Sequence, residues 1–335
     1  MDIFETVKKI AAIPSVSGNE EAALPLYKAL LSPYTDNVFA DSFGNIKAVF
    51  GNGDILLEAH ADKIGMIVTH VYDEGFLKVA PVGGIDARVL PAGDFRVLTA
   101  DGEVYGTAAS VPPHLADADD DKKAKPVDET LLDVGKDAAK KVRLGDRVMY
   151  GGAPVKLAND RICSPYLDNS IGCVTILLAA EKLAEKGCLA DITLCFTAQE
   201  ETGLRGAGAA VYGENHNEVV VVDTTFADAP GIAAEHCGKL GGGPMIGFSP
   251  VLPALFSRYY RNLAEKLGIP HGSEVMGRST GTNADVISKA GEGFRTALLS
   301  VPIRNMHTPS EICDVRDVEN TATLIAEGII RWRTA

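Results

Sequence analysis

The arrangement of apolar and polar positions along the chain predicts three regions of different secondary structure. Residues 1–65 mix helical and strand patterns. Ser17 and Glu20 form a capping-box pattern before a helical stretch that extends to about Leu31. Apolar runs then predict two strands, at residues 45–50 and 54–60.

Residues 66–113 contain only short β-like runs (MIVTHVY, FLKVA, FRVLTA and EVYGTAA), and glycines and prolines separate them. The segment 114–129 has nine charged positions of sixteen, which predicts a solvated loop. A further strand is predicted at residues 146–150. This pattern is typical of a small all-β domain.

From about residue 159, strands again alternate with helices. The periodicity predicts helices at 170–187 and 317–332, and strands at 191–199, 217–223 and 294–302. Such alternation favours an α/β fold with a mostly parallel sheet covered by helices on both faces. We therefore predict a discontinuous α/β domain, residues 1–65 and 160–335, with a small barrel-like β domain, residues 66–159, inserted into it.

Composition narrows the functional classes. The 335 residues carry 32 Lys and Arg against 45 Asp and Glu, a formal net charge of −13, which argues against a general binder of nucleic acid or anionic membranes. The uncharged run 240–257 contains four glycines and three prolines, so we expect loop and turn there rather than a membrane span. Six cysteines without a CxxC pair predict buried, reduced thiols in a cytoplasmic protein.

Acidic and histidine residues follow the predicted strands. Because the carboxyl ends of parallel strands meet at one edge of a sheet, we expect these side chains to lie together. Any one of these acids, taken alone, would be explained better as a helix cap or a surface charge. The set consists of His60 and Asp62, Glu200 and Glu201, Asp223, His307, and Asp168 from the turn before a helix.

Neighbouring carboxylates repel one another unless a cation lies between them. Two histidines with three or four carboxylates suit zinc, cobalt or manganese, and their number fits two ions that share a bridging carboxylate and activate a water molecule. One of Glu200 and Glu201 can bind metal while the other accepts the water's proton, and Asp62 can orient His60. The other histidines are expected to be structural or surface groups: His70, His114, His216, His236 and His271.

Five ordered motifs, AHADKIGMIV, LDNSIGC, TAQEETGLRGA, VVDTT with a following APG, and VPIRNMHTPSE, resemble the tetrahedral aminopeptidases. That family includes glutamyl and deblocking aminopeptidases and members once labelled endoglucanase M. The resemblance extends along nearly the whole chain and includes VPPHL in the inserted domain.

The resemblance implies a dinuclear metallo-aminopeptidase that acts on short peptides, with two divalent ions per subunit, zinc first and cobalt or manganese as alternatives. It implies a cis peptide bond at Asp168–Asn169. It also implies a homododecamer built from dimers, with dimer contacts through the inserted β domain. The implied roles are His60 and Asp223 on one metal, Glu201 and His307 on the other, Asp168 as the bridge, Glu200 as general base, and Asp62 orienting His60.

The chain departs from the family pattern without losing an implied ligand. The departures are Lys63, Asn169 with Ser170, Asn283 and Asn305, and they leave the substrate preference open. A glutamyl-preferring pocket needs a cation, which Lys63, Lys239 or Arg278 could supply.

Two other classes of function remain possible from the sequence. The same metals serve N-deacylases, dipeptidases and carboxypeptidases, and the fold could also form a non-enzymatic, peptide-binding assembly. A glycosidase is disfavoured because it needs two metal-free carboxylates and usually an aromatic platform, whereas the single tryptophan, Trp332, lies in the last helix.

Overall fold

A computed structural model describes residues 1–115 and 124–333 of the chain. Half of the charged loop predicted at 114–129, residues 116–123, therefore lies outside the described residues. The helices are α1 (Ile3–Ala11), α2 (Leu24–Leu31), α3 (Lys136–Ala139), α4 (Leu167–Glu185), α5 (Arg205–Ala210), α6 (Ala254–Leu267), α7 (Ala284–Ile287) and α8 (Val315–Trp332).

An eight-stranded mixed sheet forms the centre of the molecule. In spatial order its strands are β1 (Val38–Ala40), β2 (Ile46–Phe50), β12 (Ile192–Thr197), β3 (Ile55–His60), β13 (Glu218–Phe226), β16 (Arg295–Ile303), β14 (Met245–Phe248) and β15 (Gly272–Val275). The four strands in the middle, β12, β3, β13 and β16, run parallel to one another. Their carboxyl ends therefore meet at one edge.

Apolar side chains alternate between the two faces of this sheet, so helices cover both of them. Leu57 of β3 packs in a core with residues of α1, α2, α4, α6 and α8. Its neighbour Leu56 points to the opposite face and packs with residues of α5 and α7. This two-faced burial explains why the strands are almost continuously apolar.

Six of the strands between β3 and α4 form a closed antiparallel barrel with its own apolar core. Its strands, in order around the barrel, are β4 (Gly65–Val71), β5 (Phe76–Val82), β8 (Leu131–Asp133), β7 (Gly102–Ala108), β6 (Asp94–Thr99) and β9 (Arg147–Tyr150). Three further strands, β10 (Val155–Leu157), β11 (Arg161–Ser164) and β17 (Glu311–Asp314), form a small sheet. The predicted fold class, an α/β sheet with an inserted β barrel, is confirmed.

Two local predictions were wrong. Glu20 accepts a hydrogen bond from the Gly18 amide, but Ser17 donates to Asp62 instead of capping a helix, because the loop is folded against the start of the barrel. The prediction of loop and turn over 240–257 fails at β14 and the first turn of α6, whose side chains Ile246 and Phe256 join the core, whereas residues 240–244 and 249–253 are loop and turn as predicted. No helix of the described chain has the length and apolar character needed to cross a membrane.

Helix α5 packs so closely on the end of β12 that the contact leaves no room for a side chain at Gly206. A Cβ on Gly206 would lie 2.2 Å from the carbonyl oxygen of Ala198, which accepts a hydrogen bond from the Gly206 amide. A Cβ on Gly208, in the same helix, would meet only Val286 at 3.5 Å.

We expect Gly206→Ala to lower the free energy of unfolding by roughly 1–3 kcal/mol, because helix and strand must move apart. Gly208→Ala should leave it unchanged or raise it by up to about 1 kcal/mol, because alanine favours the helix. Urea unfolding of both variants measures the difference, and equal stabilities would contradict the close contact.

Candidate metal centre

Three neighbouring parallel strands bring the first group of side chains to the carboxyl edge of the sheet. His60 is the last residue of β3 and pairs in register with Thr197 of β12, so Glu200 and Glu201 follow just beyond it. Asp223 lies within β13, on the other side of β3. The strand-end argument from the sequence therefore correctly predicted that these side chains lie at one edge.

Asp168 and His307 reach the same edge from loops. The peptide bond between Asp168 and Asn169 is cis, and the two residues have non-helical backbone angles at the start of α4. The Asn169 side chain accepts a hydrogen bond from the Gly172 amide and donates to the Val222 carbonyl at 2.8 Å, which ties this turn to β13. His307 lies just beyond β16 and has a left-handed backbone, φ +64°.

The Asp168 carboxylate faces both histidines. Its Oδ1 lies 3.3 Å from His60 Nε2, and its Oδ2 lies 3.2 Å from His307 Nε2. Asp223 Oδ1 lies 3.8 Å from His60 Nε2, and Glu201 Oε1 lies 3.4 Å from His307 Nε2. The side chains thus form two overlapping groups with metal-ligand spacing. The first is His60, Asp168 and Asp223, and the second is Asp168, Glu201 and His307. Both groups contain Asp168.

A third group with such spacing combines His60 with Glu200 and Glu201. Glu200 Oε2 lies 4.0 Å from His60 Nε2, a member of the first group, and Glu200 also groups with Glu201, a member of the second, so it lies beside both.

The electrostatics of the cluster favour bound cations. Burial raises the pKa of Glu200 to about 9, and the carboxylates of Asp223 and Glu201 add to this effect. Although burial opposes its charge, hydrogen bonds to Asp168 and Glu201 raise the pKa of His307 to about 11. A divalent ion would replace these protons as the positive charge between the carboxylates. Imidazole nitrogens and carboxylate oxygens suit zinc, cobalt and manganese, so these side chains fit such ions.

Asp62 connects the first strand end to the glutamate pair. Its Oδ1 lies 3.3 Å from His60 Nδ1. Its carboxylate also accepts hydrogen bonds from the backbone amides of Glu200, at 2.9 Å, and Glu201, at 3.1 Å, and from the hydroxyl of Ser17. The sequence predicted the contact with His60, but it gave no sign of the contact with Ser17.

The barrel also contacts the cluster, through a glycine that the sequence analysis did not single out. The Gly84 carbonyl oxygen lies 2.8 Å from His307 Nδ1 and can accept a hydrogen bond from it. A bond through Nδ1 leaves Nε2, which faces Asp168 and Glu201, free to bind a metal. A Cβ on residue 84 would lie 2.7 Å from that Nδ1, so a larger residue does not fit.

Lys63 cannot serve as a cation for substrate. It is only 1% exposed, and its ammonium group donates 2.7 Å hydrogen bonds to the backbone carbonyls of Ile10, in the last turn of α1, and Ile13, just beyond that helix. Burial lowers the pKa of Lys63 to about 7. Lys239 and Arg278 are exposed and remain possible.

The other histidines whose side chains are described stay outside the candidate metal groups: His70, His114, His216 and His271. Among them His216 is buried, with its Nδ1 2.6 Å from the Gly53 carbonyl oxygen, and His271 Nδ1 lies 2.9 Å from the Ile269 carbonyl oxygen. Both positions agree with the predicted structural role.

A histidine–carboxylate cluster at the carboxyl edge of an α/β sheet, beside an inserted barrel, is typical of the broad class of metal-dependent hydrolases. Comparison with known proteins specifies the class further. The family model described as M42 glutamyl aminopeptidase matches residues 44–324, and the chain belongs to this family.

Relatives and solved structures agree with this assignment. The lysyl aminopeptidase of Pyrococcus furiosus is 36% identical over 330 residues, which cover 96% of this chain and 95% of that protein. The TET aminopeptidase of Thaumarchaeota archaeon SCGC AB-539-E09 superposes with a TM-score of 0.90 at 27% identity, covering 98% of this chain and 96% of the other. The TET1 peptidase of Pyrococcus horikoshii, described as able to assemble into a tetrahedron or a large octahedral shell, has a TM-score of 0.83 at 29% identity, with 97% and 98% covered.

The contact between the barrel and His307 predicts the effect of one substitution. Gly84→Ala should displace the imidazole and weaken the binding of one divalent ion about 10–100-fold, the usual cost of losing a partner that orients a ligand. Gly277→Ala is the matched control, because its Cβ would have no atom within 4 Å. Competition with a chromophoric chelator measures the affinities, and equal affinities in the two variants would refute the steric argument.

Proposed function

We propose that the chain is a dinuclear metal-dependent aminopeptidase that removes N-terminal residues from short peptides. The observation that carries this proposal is the shared carboxylate of Asp168, whose two oxygens face two different histidines. One ligand shared between two triads of donors suits a pair of ions that lie close together. Membership of the aminopeptidase family supports the reaction.

In this proposal the two ions are held by the two triads that contain Asp168. His60 and Asp223 would hold one ion, Glu201 and His307 would hold the other, and Asp168 would be shared between them. Asp62 acts as a positioning residue, since it contacts His60 and the backbone amides of the glutamate pair. Zinc is the first choice, and cobalt or manganese would suit the same donors.

The two ions would supply Lewis-acid polarisation of the scissile carbonyl and would lower the pKa of water to roughly 7. The chain's own contribution to the chemistry is Glu200. Its carboxyl group lies beside both candidate triads, so it can accept a proton from the attacking water and return it to the leaving amine. Positive charge next to Glu200 would lower the pKa that burial raises, and would free the carboxylate to act as base.

We also propose that the chain works as a homo-oligomer, a dodecamer built from dimers, with the barrel as a separate domain that mediates dimer contacts. The support is a solved structure described as PhTET1-12s, a dodecamer in the asymmetric unit, which is 28% identical and covers 97% of this chain. A cytoplasmic location remains a prediction from the use of cysteine.

Hydrolysis of a panel of aminoacyl-p-nitroanilides tests the reaction. Substrates with Glu, Asp, Leu, Lys or Ala, and N-acetyl-Leu, are compared after EDTA treatment and after zinc, cobalt or manganese is added back. Metal-dependent release from the free-amine substrates alone is the expected result, and it also identifies the preferred first residue. An N-deacylase would instead release acetate from N-acetyl-Leu-p-nitroanilide and leave the p-nitroanilide bond intact, so acetate is measured beside p-nitroaniline.

Glu200→Gln separates the proposed base from the ligands. The variant should keep the full metal content and lose roughly 10²–10⁴-fold in kcat, because the amide cannot accept the proton. Metal analysis alongside steady-state kinetics checks both parts. Near-normal turnover would exclude Glu200 as the base, and loss of metal would make it a ligand.

A further inference from the structure

One buried carboxylate outside the ligand set contacts two of the proposed ligands at once. Glu311 is 1% exposed. Its Oε2 accepts a 3.0 Å hydrogen bond from the backbone amide of Asp168, and its Oε1 accepts a 2.7 Å hydrogen bond from the backbone amide of His307. The two amides belong to segments that are 139 residues apart in the sequence, since 307 − 168 = 139.

The backbone of Glu311 is itself held in place. It is the first residue of β17 and pairs with Ser164 at the end of β11, the strand that leads into the Asp168 turn. On the other side, the bridge between Arg304 and Ile312 closes the loop that carries His307. The Glu311 carboxylate therefore extends from β17. The residues that pair with β17 lie close in the chain to Asp168 on one side and to His307 on the other.

Those two segments need a support of this kind. His60 and Asp223 lie within strands, where the sheet fixes their backbones. Asp168 and His307 lie in irregular backbone that strand pairing does not fix. The Glu311 carboxyl group accepts hydrogen bonds from the backbone amides of both. Because both hydrogen bonds end on one short, buried carboxyl group, they restrict the positions of both residues.

We propose that Glu311 is the positioning residue that sets the spacing between Asp168 and His307, and so sets the affinity for the ion that these two residues share. This inference rests on the proposed metal site. Glu311 touches neither substrate nor reacting atoms, and it acts through the backbones of the two ligands.

Glu311→Gln is the test, because the amide keeps the shape of the side chain but puts an NH2 group against one of the two backbone amides. The matched control is Asp317→Asn. Asp317 is also a buried carboxylate that accepts two backbone amides, those of Gly241 at 2.8 Å and Gly243 at 2.7 Å, but it holds no proposed ligand.

We expect Glu311→Gln to weaken the binding of one of two divalent ions at least 10-fold in chelator competition, and to change the d–d absorption spectrum of the cobalt-loaded chain. Asp317→Asn should stay within about twofold of the wild-type affinity. Equal affinities and spectra in the wild type and Glu311→Gln would overturn the proposal, since Glu311 would then be only structural. If Glu311→Gln does not fold, Glu311→Asp is measured in the same way, because the shorter side chain cannot keep both contacts.

The same experiment separates this inference from the proposed function. A wild-type chain that binds fewer than two ions, or that releases no product from free-amine substrates, contradicts the proposed function whatever the variants do. A wild-type chain that binds two ions and hydrolyses the panel, with an unchanged Glu311→Gln variant, contradicts only the role of Glu311.

Discussion

Two imidazoles approach the two oxygens of a single carboxylate, Asp168, within 3.3 Å, and the rest of the cluster is arranged around that carboxylate. Asp223, Glu200 and Glu201 lie close to the same histidines, mostly out of contact with solvent. Without a cation such a group of acids can coexist only if some of them hold protons, and the raised pKa of Glu200 expresses this cost. The requirement for positive charge therefore follows from the geometry of the fold.

The central sheet and the barrel both contribute to the site. The parallel strands β3 and β13 supply His60 and Asp223, and the register of β12 with β3 brings the glutamate pair beside them. The barrel adds a backbone carbonyl, that of Gly84, which faces the outer nitrogen of His307. A change in the position of the barrel would therefore alter the environment of a proposed ligand.

The fold class and the edge that carries the site could be predicted from the sequence, because both depend on local periodicity and on the acids that follow apolar strands. Glu200 and Asp223 are examples, since each follows or ends a run that only a buried strand explains. Lys63, Ser17 and Gly84 could not be interpreted in this way. Lys63 contacts backbone carbonyls, Ser17 contacts a distant carboxylate, and Gly84 contacts an imidazole. Only the tertiary structure brings these groups together.

The support of the proposed ligands follows one physical rule. His60 and Asp223 are fixed by strand pairing, whereas the ligands in irregular backbone are held through their amides by buried carboxylates. Asp62 binds the amide of Glu201, and Glu311 binds those of Asp168 and His307. Because these contacts restrict the backbones that carry the donors, less ordering has to accompany the binding of an ion. Asp62 and Glu311 thus fix the backbones of the loop residues, as strand pairing fixes the backbones of His60 and Asp223.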